Sequence, residues 1–200
     1  MYKIQMTFQK IACYLTVIAG AVSFIYSLGM LTDLYDSLYY TMSNPKDLTK
    51  TKVPGSIIYY DMQDFNKLLL YLSIGLILLG ALVFLTQTHA RRKYYIGNYV
   101  ATGLYAAAAV GVTVWSHIQI EAYKIQYLTT VDFAALAKFS KGMKTFYTDS
   151  PFWFDLHYVM AACLLITAVL IVANAIWKVS LMRNETRLIA ESKGKGAVAA

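Results

Sequence analysis

The chain reads as an all-α integral membrane protein: a four-span transmembrane helical bundle with a small helical extracellular head formed by two long connections. Three observations predict this. Of its 200 residues, 58% are hydrophobic and only 14% charged, against about 25% charged in ordinary soluble domains. Four apolar runs, at about 11–31, 68–88, 94–116 and 156–177, have the roughly 20 residues that a helix needs to cross hydrocarbon. The basic residues gather beside these runs rather than along a stripe, which argues against a nucleic-acid partner despite a formal charge of +7.

The middle pair of runs sets the topology. Leu68–Thr88 and Tyr94–Ser116 hold no Asp, Glu, Lys or Arg, and the turn between them, 89–93, contains Arg91, Arg92 and Lys93. Lys and Arg accumulate on the cytoplasmic side of a membrane. The turn is therefore expected to be cytoplasmic, and with four spans both termini are too. Ten of the 18 Lys and Arg fall on that side: Lys3, Lys10, Arg91, Arg92, Lys93, Lys178, Arg183, Arg187, Lys193 and Lys195. Only Glu185 and Glu191 of the 11 acids join them.

Taken in order, the first run passes Ala19-Gly20-Ala21, which resembles a signal-peptide cleavage site. It continues through Val22–Leu31 without a polar break, so an uncleaved span is expected. The first connection, 32–67, starts as a continuation of that helix, with Leu34, Leu38 and Met42 on one face. Pro45 should stop it at Asn44. Lys46–Lys52 reads as a loop and Ser56–Asp61 as a short strand. The second connection, 117–155, holds a separate helical pattern over Val131–Phe146, with Thr130 as its expected N-cap. Trp153 and Trp177 flank the fourth span, where indole rings settle at the interface. The tail, 178–200, ends in Lys193-Gly194-Lys195-Gly196, too polar and glycine-rich to order itself.

Cys13 and Cys163 lie at different depths of their spans and should not pair, and the connections have no cysteine. No G-x-S-x-G, H-E-x-x-H, C-x-x-C or P-loop is present, so no enzyme activity is expected. Nor does any of the four runs hold a charged residue in its interior, which argues against a proton-coupled pump.

Four sets of residues remain as candidate sites. His117 ends the third run and His157 begins the fourth, so the two imidazoles could meet and hold a b-type haem; no cofactor is otherwise expected. Tyr39, Tyr40, Tyr59, Tyr60, Tyr123 and Tyr127 crowd the two connections and could recognise a partner. Gly103, Ala107 and Gly111 share one face of the third run, and Asn98 and Asn174 lie at matching depth; all five are expected inside the bundle, packing helix on helix. Arg91, Arg92, Lys93, Lys178, Arg183 and Arg187 are expected at lipid headgroups, as topology determinants or as lipid contacts.

The functional expectation is a non-enzymatic accessory or scaffolding subunit of a bacterial cell-membrane assembly. It would contact membrane lipids and bind a protein partner or further copies of itself. An oligomeric channel or passive transporter, and a haem-bearing redox subunit, are the alternatives.

Overall fold

Helix is the only structure that satisfies its own backbone in hydrocarbon without closing into a barrel, and this chain is built accordingly. The computed structural model describes residues 2–44, 47–87, 95–143 and 151–198. Four of its helices are long and apolar enough to span a membrane: α1 (Tyr2–Thr41), α3 (Gln63–Leu85), α4 (Tyr95–Thr130) and α6 (Phe152–Val198). Between α1 and α3 lie a two-stranded antiparallel ribbon, β1 (Met42–Asn44) and β2 (Asp47–Thr51), and a single turn, α2 (Ile58–Asp61). A short helix, α5 (Phe133–Met143), follows α4. Around the bundle the order is α1, α3, α4, α6, so each long helix packs on two antiparallel neighbours.

Apolar side chains gain little by leaving lipid, so close approach must hold such helices together. The α1–α3 contact shows how. A Cβ on Gly20 would lie 2.9 Å from a side-chain carbon of Ile77, and one on Gly80 would lie 3.2 Å from the Thr16 backbone. Ala12, Thr16 and Gly20 are buried along this side of α1, the face expected to pack.

The small face of α4 is a correction. Gly103, Ala107 and Gly111 are exposed, and nothing stands within 4 Å of a Cβ built on Gly103 or Gly111. The buried face is instead Asn98, Thr102, Tyr105, Ala109, Thr113 and Ser116. The reason is energetic. A hydroxyl or amide turned to hydrocarbon loses its partners, which costs more than close packing returns. The polar residues therefore set the rotation of the helix, and the glycines are left outside.

The connections assemble at the end opposite the chain termini. Ser56–Asp61, expected as a strand, contains the helical turn α2 instead, and the ribbon forms where a loop was expected. The β-branched threonines of β2 suit a pleated strand, whereas Ile58 and Tyr59 are held buried by the turn. Helix α5 is capped by Asp132, whose Oδ1 accepts from the Ala135 N–H at 2.9 Å. Thr130, the expected cap, is the last residue of α4, and its hydroxyl donates back to the Gln126 carbonyl at 2.7 Å. Leu136 buries the inner side of α5, and the Lys52 ammonium sits 5.8 Å over the Phe139 ring, so α5 does lie on the first connection. The tail is also corrected: α6 runs unbroken to Val198. The basic turn with Arg91, Arg92 and Lys93, and the junction that includes Pro45, lie outside the described residues.

Gly55 joins the two connections. Its φ is +80°, and a Cβ there would meet the Thr130 carbonyl oxygen at 2.0 Å. Beside it, the Asp132 N–H donates to the Pro54 carbonyl at 3.0 Å. Gly55→Ala should therefore cost more than about 1 kcal/mol. Limited proteolysis of the detergent-solubilised protein checks this: cleavage in 46–56 should accelerate while the four long helices stay intact. Unchanged cleavage would mean that the two connections do not depend on this contact.

Candidate functional site

A polar cluster lies at each end of the bundle, with a mid-span hydroxyl contact between them. The middle group is Tyr105. Its ring is fully buried, and its hydroxyl lies 3.2 Å from the Thr16 carbonyl on α1 and 3.1 Å from the Thr167 hydroxyl on α6. Sequence reasoning passed over Tyr105. The available signal was a phenol in mid-span, flanked by small residues and too deep to reach water.

At the connection end the structure brings His117 and His157 together, ring centroids 5.8 Å apart. His157 is fully buried, packed edge-on against the Tyr26 ring, and its Nε2 shares a 2.9 Å hydrogen bond with the Ser116 hydroxyl. Its Nδ1 has no protein partner. His117 is exposed. Around them, the Tyr158 hydroxyl donates to Glu121 and the Lys124 ammonium to Asp155. This arrangement ties α4 to α6 through three hydrogen bonds and a ring stack. An iron ion between the imidazoles would require His157 to give up Ser116 or to present its buried Nδ1.

At the other end the bundle holds an unexpected cation. Lys178, expected at the lipid surface, is only 1% exposed. Its ammonium donates to Asn98 Oδ1 at 3.2 Å and lies 5.7 Å over the Tyr99 ring. No carboxylate pairs with it among the described residues. The cause is direction. A helical side chain points back toward its helix N-terminus. Lys178 lies on the inward face of α6, and because α6 enters from the connection end its chain points back along the span to Asn98 instead of out to the headgroups. Asn98 also donates to the Val83 carbonyl at 3.4 Å and to the Thr86 hydroxyl at 3.3 Å. Asn174 does not meet Asn98. It accepts from Gln5 at 2.9 Å, and Gln5 also donates to Gln9 at 3.1 Å. Both asparagines are buried.

The tyrosines divide. Tyr59 and Tyr127 are buried against each other, ring centroids 6.4 Å apart, and so belong to the core rather than to a partner surface. Tyr123 is half-buried, with its hydroxyl donating to the Asp61 carbonyl at 3.3 Å. Tyr60 is exposed, while the side chains of Tyr39 and Tyr40 lie outside the described residues. Arg183 and Arg187 are exposed on α6, with Arg187 paired to Glu191 at 2.8 Å. Cys13 and Cys163 are free thiols. Among the described residues no group of three or more His, Cys, Asp or Glu is placed to hold a metal ion.

Asn98 is the hydrogen-bond acceptor for a buried charge, so the pair should be strongly coupled. Asn98→Leu is expected to lower stability by about 1.5–3 kcal/mol, the worth of a hydrogen bond to a charged group. Adding Lys178→Met should recover most of the loss, because the uncompensated cation is then gone. Thermal unfolding of the single and double variants in detergent measures this; additive losses would show that the two side chains are independent.

Comparison with protein-family models, with curated proteins and with solved structures finds no match to this chain.

Proposed function

We propose that this protein is a non-enzymatic accessory subunit of a membrane assembly, and that the outward face of α4 receives the helix of a partner. The observation that carries this reading is the length of that face. Helix α4 has 36 residues and so measures about 54 Å, against a hydrocarbon core of about 30 Å. Its exposed apolar residues continue along the whole length, from Val100 through Val114 and Ile118 to Ile125 and Leu128. Lipid accounts for the first part. Ile125 is 62% exposed and directly follows Lys124, which pairs with Asp155, so the apolar face continues to the level of an ion pair. Gly103, Ala107 and Gly111 run along the membrane part of the same face and leave room for another backbone to come close.

The proposed setting is a bacterial cell membrane with both termini in the cytoplasm and the connections forming an extracellular head. The distribution of Lys and Arg supports that orientation. The partner is another membrane protein or a second copy of this chain. A second reading, a haem-bearing redox subunit, draws on the approach of His117 to His157; a Soret band in the purified protein would favour it.

Ala107→Leu tests the first reading. The residue faces away from the bundle, so the variant should unfold at the wild-type temperature. It should nevertheless lose its partner when the assembly is solubilised from native membranes, or its self-association in light scattering. A variant that keeps the whole assembly would remove the α4 face from the interface. One that unfolds early would mean that Ala107 is packed within the bundle.

A further inference from the structure

An open cavity lies along α6, against Tyr99 of α4, at the end that carries the termini. It has a volume of about 390 Å³ and is lined by Tyr99, Ile176, Val179, Ser180, Arg183 and Asn184, together with Ala175. Its wall is apolar toward the bundle centre, at Ala175, Ile176 and Val179, and polar toward the chain end, at Ser180, Arg183 and Asn184. Among the described residues no acidic side chain lines it.

Two positive charges act on this space without an ion-pair partner among the described residues. Arg183 forms no ion pair among the described residues, whereas Arg187, one turn further along α6, is paired with Glu191. Lys178 lies behind the cavity wall, its ammonium over the ring of Tyr99, and has a neutral amide as its hydrogen-bond acceptor. A buried cation without a counter-charge is costly in so apolar a setting. A negative group held in the cavity would offset that cost through Tyr99, while Arg183 would bind it directly. Guanidinium matches the oxygens of a phosphate two at a time, and Ser180 and Asn184 can donate further hydrogen bonds to it. The apolar half of the cavity is continuous with the span, which suits the first methylenes of acyl chains.

We infer that this cavity binds the phosphate headgroup of an anionic phospholipid from the leaflet at the termini end. Basic pockets between transmembrane helices are suited to such headgroups. The inference does not rest on the α4 partner, because six of the seven lining residues belong to α6.

Delipidated full-length protein in neutral detergent provides the test, titrated with phosphatidylglycerol, phosphatidylcholine or inorganic phosphate. Thermal stability and native mass spectrometry are the readouts. Phosphatidylglycerol should raise the melting temperature with saturation at one lipid per chain, and phosphatidylcholine should not. Arg183→Gln should weaken the apparent affinity at least about tenfold, the scale of one charge-assisted hydrogen bond. Lys10→Gln removes one exposed charge from the same end, outside the cavity, and should change it less than about threefold. Ile176→Trp fills the apolar half at an exposed position without changing charge, and should weaken binding as well. Equal losses from Arg183→Gln and Lys10→Gln would reduce the effect to diffuse surface charge and overturn the site. Equal stabilisation by phosphatidylcholine would remove the role of charge. Equal stabilisation by inorganic phosphate at the same concentration would make the ligand a free anion instead of a lipid.

Discussion

The hydroxyl of Tyr105 is fully buried and must find its partners inside the protein. Those partners are the Thr16 carbonyl and the Thr167 hydroxyl, so one side chain of α4 reaches both α1, across the bundle, and α6, beside it. In water such a group would be one of many weak contributors. In hydrocarbon an unpartnered hydroxyl costs several kcal/mol, and that cost orients the helix that bears it. With Tyr105 inward, Asn98, Thr102, Ala109, Thr113 and Ser116 follow on the same side, and the contacts at both ends of α4 come into place.

The rotation of α4 has a second consequence. Its smoothest surface is left pointing away from its own bundle, and the exposed apolar face around that surface continues to the level of the ion pair between Lys124 and Asp155. Within α1 and α3, small residues do the opposite work: Gly20 and Gly80 bring two backbones of the same chain together. The same residue type thus serves internal packing on one helix and leaves an open face on another. What separates them is whether a polar side chain elsewhere on the helix claims the inward direction.

Lys178 follows from a different constraint. Long basic side chains near a span end usually snorkel to the headgroups, but Lys178 lies on the inward face of α6, where its chain meets protein instead. On α6 it points back into the bundle, toward Asn98 and Tyr99. The same geometry leaves Arg183, further along α6, facing the cavity beside Tyr99.

The sequence by itself determined that the chain is helical with four apolar segments long enough to span a membrane, and it put His117 and His157 at the facing ends of two of them. Hydrophobic run length and the depth of a residue along a helix are properties of the chain alone. The helical pattern of α5 was legible for the same reason, as was the need of Asn98 and Asn174 for polar partners. The tertiary structure decided which way each helix is turned, and with it whether a residue at a given depth faces protein or lipid. Periodicity could not settle this for α4, because both its polar face and its small-residue face repeat at helical spacing and both suit a packing surface. It also decided that Lys178 is buried, since span limits drawn from hydropathy end at the first charge and carry no side-chain direction. Tyr59 and Tyr127 entered the core for a similar reason: a tyrosine suits a core and a partner surface equally until a neighbour covers it.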